Sequence, residues 1–134
     1  MPRQRQQRRM LEPPHFEGYQ PHGTSIEGKP PVILLYEEYE ALKRADYYGI
    51  NHHEACRYMG ISRSTCARIY ENARRKIARA LVETREIATS PGDVVFEEDW
   101  YLCKDCHARF TLPQTKRKEH CPSCQSDDLE SITK

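Results

Sequence analysis

Four cysteines in the last third of the chain constrain its folding more than any other feature. They read Cys103-Lys-Asp-Cys106, a gap of fourteen residues, then Cys121-Pro-Ser-Cys124. A C-x-x-C pair in a tight turn can put two sulfurs on one ion, and two pairs complete a tetrahedral thiolate shell. Backbone amides of the turns can bond the sulfurs and soften their charge. With all four ligands supplied by the chain, no position is open to a substrate. The motif therefore points to a structural metal, Zn2+ first.

The residues around the motif favour strand. Val94, Val95, Phe96, Trp100, Tyr101 and Leu102 precede the first pair, so residues 93–134 are expected to form a small β module resembling a zinc ribbon. Two other readings compete. Two disulfides need an oxidising compartment. A rubredoxin-like iron site also uses paired C-x-x-C, but the gap here is short and Gln125 stands where a glycine is usual. His107 and His120 flank the cysteines and read as loop residues, since four thiolates already fill the shell.

The chain has 134 residues, room for one ordinary domain or two small ones. Hydrophobic residues make up 37% and charged residues 31%, which suits small modules better than one large core. No run approaches the roughly 18 apolar residues of a membrane span. The basic N-terminus lacks the apolar segment of a signal peptide. A cytoplasmic protein with reduced thiols is expected, and patterned cysteines there point to metal before disulfide.

The net charge of +1 hides two basic patches. Residues 1–9 carry Arg3, Arg5, Arg8 and Arg9 and no acid. Residues 61–80 carry Arg63, Arg68, Arg74, Arg75, Lys76 and Arg79 against Glu71 alone. A polyanion responds to such patches and not to the total.

The first thirty residues contain Pro2, Pro13, Pro14, Pro21 and Pro30 with three glycines, and predict an extended arm that Phe16 and Tyr19 can pin to the body. Residues 31–89 predict three helices. The first runs over 31–48, with Leu34, Leu35, Tyr39, Leu42 and Ala45 near helical spacing and Gly49 as its stop. The second starts at the cap Asn51 and runs to about Met59. Gly60 breaks it, Ile61 plugs the gap, and Ser62 caps a third helix running to about Ile87. Ser90-Pro91-Gly92 reads as a linker. The fold class expected is therefore mainly α: a three-helix domain plus the small β module.

The second and third helices with their glycine turn make a helix–turn–helix pattern. A small residue at Cys56 lets the helices approach, and Cys56 and Cys66 read as small buried hydrophobes. The apolar stripe Cys66, Ile69, Tyr70, Ala73, Ile77, Ala80 and Leu81 turns Arg63, Ser64, Ala67 and Arg68 outward. On duplex DNA, Arg63 and Arg68 suit guanine edges or phosphates, and Ser64 and Thr65 suit either. Arg74, Arg75, Lys76 and Arg79 lie further along, where they would track phosphate. The arm with Arg3 and Arg5 suits a minor groove.

The order of elements now resembles a known family. A basic start, Pro13-Pro14, Glu40-Ala-Leu-Lys-Arg-Ala-Asp46, the helix–turn–helix and the run from Ala73 to Leu81 are similar to the domain-of-unknown-function 134 family. Its helical part resembles the promoter-reading C-terminal domain of sigma factors. The resemblance covers about residues 1–88 and implies a DNA-binding protein and transcription regulator, without a target or effector. The cysteine-bearing tail is not expected in every member.

The function expected is a sequence-specific regulator that binds double-stranded DNA, as a homodimer on paired half-sites, with a structural zinc module that can also meet the transcription machinery. The alternatives are a zinc-ribbon adaptor without DNA affinity and a rubredoxin-like electron carrier. No activated nucleophile, phosphate-cradling glycine loop or open metal site points to an enzyme.

Overall fold

The computed structural model describes residues 8–10, 12–92, 94–96, 99–111 and 120–132. Arg3 and Arg5 lie outside the described residues.

The sequence Val32-Ile33-Leu34-Leu35 begins the body. Val32 and Leu34 are buried while Ile33 is exposed, a two-residue period that suits a strand. The segment is strand β3 (Val32–Leu35), after two short strands in the arm, β1 (Arg8–Met10) and β2 (Gly18–Tyr19). Helix α1 (Tyr36–Leu42) follows directly and runs into a π-helical turn, Lys43–Tyr47. Glu38 accepts the Leu35 N–H at 2.8 Å, which satisfies one of the orphan donors at the α1 N-terminus. The helix expected over 31–48 is thus a strand, a short α-helix and a π turn. Its first residues read as helical because Leu34 and Leu35 fit either period.

Helices α2 (His52–Met59) and α3 (Arg63–Glu83) carry the caps expected of them. Asn51 Oδ1 accepts from the Glu54 N–H at 3.0 Å, and Ser62 Oγ from the Thr65 N–H at 3.3 Å. Gly60 closes α2 at φ 70°, a left-handed conformation that a side chain disfavours. Met59, fully buried, packs with Ala41 and Ile69, and Ile61 fills the space beside them.

Helix α3 ends at Glu83, four residues short of expectation, because residues beyond it are taken by strand β4 (Ile87–Ser90). β4 is the middle strand of a three-stranded sheet. It pairs in parallel with β3, Val32 opposite Ile87, and antiparallel with β2, Gly18 opposite Ala88. A Cβ on Gly18 would collide with the Ile87 carbonyl oxygen, so this close approach requires glycine. The ring of Phe16 lies 5.7 Å from that of Tyr39 and 4.8 Å from that of Tyr19, and so fastens the arm to α1.

Three further strands make a second three-stranded sheet: β6 (Trp100–Cys103) between β7 (Arg109–Thr111) and β8 (Leu129–Ser131), all antiparallel. Strand β5 (Val94–Phe96) pairs in parallel with β1. Phe96 of β5 meets Tyr36 of α1 edge-on at 6.2 Å, which links the two halves of the chain.

The described residues hold eight strands in three sheets beside three α-helices. A mainly α fold is therefore not what forms. The class is mixed α and β. The cause lies in β3 and β4: each reads as a helix end or a linker alone, and each becomes a strand only by pairing with the other across α1–α3.

Candidate metal centre and basic helix face

Cys103 ends β6 and Cys106 lies in the turn that follows, and the turn before β8 holds Cys121 and Cys124. The two turns are built alike. The His107 N–H bonds the Cys103 carbonyl at 2.9 Å, and the Gln125 N–H bonds the Cys121 carbonyl at 2.8 Å. The N–H of each leading cysteine reaches a carbonyl five residues on, Ala108 or Ser126, at 2.9 and 2.8 Å. Both turns close with a left-handed residue, His107 at φ 64° and Gln125 at φ 63°. Gln125 thus occupies a conformation that favours glycine.

The four sulfurs lie within 4.8 Å of one another. Cys103 and Cys124 are 3.5 Å apart at sulfur, as are Cys106 and Cys121. A tetrahedron with metal–sulfur bonds of about 2.3 Å has edges of about 3.8 Å, so the spacing fits one ion. Turn amides aim at the sulfurs: the Cys106 N–H at Cys103 Sγ and the Ser123 N–H at Cys121 Sγ, both 3.4 Å. Such donors stabilise thiolates. Cys103 and Cys121 are buried while Cys106 and Cys124 reach the surface, which gives an ion a path in. Ser126 donates to the Asp105 carboxylate, and the Lys104 N–H bonds the Asp128 carbonyl at 2.9 Å, so the turns are tied together apart from any ion.

The thiols of Cys121 and Cys124 are shifted in opposite directions. Burial raises Cys121, but amides of Cys124 and Ser123 and the neighbouring thiols outweigh it and bring it down to about 6. The Ser126 amide lowers Cys124, but the neighbouring thiols, with burial, push it up to about 12. Cys121 is thus a thiolate at neutral pH and a natural landing point for a cation.

Away from this centre, the N-terminal turns of α3 bury Cys66 and Ile69 and expose Arg63, Ser64, Ala67 and Arg68. Thr65 is half-buried, and its hydroxyl accepts from Ser62 at 2.8 Å within the cap. Arg63 and Ala67 line a shallow hollow with Asn51 and His53 from the start of α2. Further along, Arg75 pairs with Glu71 at 3.1 Å and Arg79 with Glu83 at 3.9 Å, both on the open surface. Such pairs are weak and easily exchanged. Lys76 is different: it donates to Glu38 at 2.7 Å and to the Ile33 carbonyl at 2.8 Å, so it braces β3 and α1. Its sequence neighbours Arg74 and Arg75 hid this inward role.

The residues of the stretch Glu40 to Asp46 are structural. Glu40 is fully buried and binds Arg44 at 2.6 Å and Lys43 at 3.2 Å. Arg44 in turn lies over the ring of Tyr58 on α2, 3.4 Å from its centre. Asp46 accepts the Tyr70 hydroxyl of α3 at 2.6 Å, which raises the Tyr70 hydroxyl above its ordinary value. The stretch therefore locks α1 to α2 and α3.

Residues 1–97 match the family model described as "Protein of unknown function DUF134". The chain belongs to this family. It is 33% identical over 132 residues to a UPF0251 protein of Chloroherpeton thalassium, covering 98% of this chain and 87% of the relative. It is 35% identical over 133 residues to one of Methanothermobacter thermautotrophicus, covering 99% of this chain and 69% of the relative. A UPF0251 protein of Pyrococcus horikoshii is 46% identical over 80 residues, 59% of this chain and 73% of the relative. Alignments over 98–99% of the chain take in the cysteine-bearing tail, whereas the family model stops before it. No solved structure matches.

Cys56 and Cys66 are buried, as expected of small hydrophobes, but they are also joined by a disulfide. The sequence signalled their burial, since both sit on inward faces. Their pairing became visible only once α2 and α3 crossed.

Proposed function

We propose that this protein is a sequence-specific double-stranded DNA-binding regulator of transcription with a structural zinc centre at Cys103, Cys106, Cys121 and Cys124. The observation that carries the reading is the face of α3. Arg63, Ser64 and Arg68 stand exposed on its first two turns, while Cys66 and Ile69 anchor the opposite side. Gly60 and the Ser62 cap fix the entry of that helix, as recognition by a major groove requires. Arg75 and Arg79 extend the positive charge along the helix toward phosphate, and Arg3 and Arg5 supply a basic arm. Exposed Leu81 and Val82 near the end of α3 support a homodimer on paired half-sites. The closed thiolate set favours zinc over a catalytic or electron-carrying ion, and the protein is read as no enzyme. The expected compartment is the cytoplasm, and no described helix is long and apolar enough to cross a membrane. The transcription machinery is a second partner, met through the ribbon.

Selection of duplexes from a random pool, with metal analysis of the same sample, tests the reading. A consensus should emerge from a colourless, zinc-loaded protein. Arg68→Ala and Arg63→Ala should each weaken binding of the selected duplex by about 1–3 kcal/mol and relax its consensus, whereas Arg79→Ala should lower the salt dependence and leave the consensus unchanged. Unchanged affinity of both Arg63 and Arg68 variants at moderate salt would overturn the assignment of α3.

A further inference from the structure

Cys56 and Cys66 sit on α2 and α3, on either side of the Gly60-Ile61-Ser62 turn. Their Cα atoms are 5.6 Å apart, within the span that a disulfide bridges without moving the backbone. Both are nearly inaccessible, at 4% and 1%, and they form a small core with Ala55 and with Ile61 packed against it. The sulfur contact is thus one of the points that fix the crossing of α2 and α3, beside the packing of Met59 on Ile69. Two thiols that are not bonded need more room than a disulfide, by more than an ångström at sulfur, since the covalent distance is about 2.05 Å. Reduction moves the sulfurs apart, and in a packed core this falls on the crossing as well as on the two side chains. Cys66 lies between Arg63 and Arg68 on the first two turns of α3, so any such change is felt on the basic face.

We infer that Cys56 and Cys66 form a reversible dithiol–disulfide site that adjusts the α2–α3 crossing, and with it the presentation of the α3 basic face. The effect on DNA rests on the DNA-binding reading above. The effect on α3 does not. The oxidant is a low-molecular-weight disulfide. One cysteine thiolate attacks it and releases one oxidant thiol, leaving a mixed disulfide. The second cysteine thiolate then attacks the protein sulfur, forms the Cys56–Cys66 bond and releases the second thiol. Two electrons and two protons pass to the oxidant. Because both sulfurs are buried, exchange proceeds through opening of α2, which has only eight residues.

The full-length, metal-loaded protein is equilibrated in glutathione buffers from reduced to oxidised. Alkylation with mass spectrometry follows each cysteine, and metal content is measured on the same samples. Cys56 and Cys66 should oxidise together while the metal stays bound. Amide exchange at residues 63–66 should slow in the oxidised form. Affinity for a duplex selected with the oxidised protein should fall about fivefold or more on reduction. In Cys56→Ala/Cys66→Ala both differences should vanish. Should that variant fail to fold, the redox titration of the unaltered protein decides alone. Independent alkylation of the two cysteines at every redox poise would overturn the proposal, as would amide exchange identical in both forms. If neither form binds DNA yet exchange differs, the DNA reading falls and the redox site stands.

Discussion

Thr84 follows α3 at φ 55°, and its backbone N–H bonds the Ala80 carbonyl to close the helix. A β-branched residue is a poor fit to the left-handed region, where an L side chain costs about 1–2 kcal/mol. Gly60 does the same task at the end of α2 with no Cβ. The two sites predict opposite responses to reciprocal changes. Thr84→Gly should stabilise the protein by up to about 1 kcal/mol, offset in part by the added freedom of glycine in the unfolded chain. Gly60→Ala should destabilise it by about 1 kcal/mol. Thermal unfolding of both variants beside the parent checks the pair, and a Thr84→Gly variant that melts lower would contradict the cap assignment. At this scale the sequence was readable where chemistry is local. Asn51, Ser62 and Gly60 were recognisable as caps and a stop from residue type alone. Thr84 was not, because nothing in threonine signals a positive φ. The inward turn of Lys76 was equally hidden, since its partner Glu38 lies 38 residues away.

Helix α1 contains three buried acids, Glu37, Glu38 and Glu40, on a segment of seven residues. Burial of carboxylates needs cations, and Lys43, Arg44 and Lys76 supply them for Glu40 and Glu38. Removing Glu40 would leave Arg44 without its carboxylate and Lys43 with only Glu12 at 3.9 Å, on side chains just 15% and 16% exposed. Glu40→Ala should therefore cost about 3 kcal/mol, read as a lowered midpoint in urea. Glu40→Gln keeps one acceptor for Arg44 and should cost less. If Glu40→Ala were neutral, the buried network would not be what joins α1 to α2. The same element shows why the fold class misread. A run such as Val32 to Leu35 satisfies helical and strand periods at once, and length could not arbitrate because α1 follows without a turn. The decision belongs to β4, 52 residues further along, whose pairing with β3 no local pattern announces. By contrast α2 and α3 are fixed by caps, a glycine and one stripe, so their existence and start points were legible.

The two halves of the molecule are stabilised by different means, and this makes metal dependence separable. The first half has Met59, Ile69, Ala41 and the ion-pair network around Glu40 as its core. Among the described residues, the buried cluster of the second half is Cys103, Phe110 and Cys121, two of them the proposed ligands, with Leu102 buried nearby and Tyr101, Ala108 and Leu129 packed against it. So small a cluster does not hold a sheet unless the four thiols are drawn together. Chelation of the metal should therefore unfold β6–β8 while helical circular dichroism persists. Trp100, the only tryptophan, lies on β6 and reports this as a red shift of its emission. Acid should act in the same direction. A metal binds the thiolate form, so protons compete as pH falls. With Cys121 down at about 6, one ligand is already deprotonated at neutral pH, whereas Cys106 and Cys124, each lowered by a backbone amide but raised more by neighbouring thiols and burial, release protons only to the metal. Metal should stay bound at neutral pH, uptake there should release protons, and affinity should drop steeply once the pH passes below about 6. A Trp100 emission unchanged by chelation and by acid down to pH ~4 would show that the sheet folds without metal, leaving the hydrogen bonds between the turns as its support.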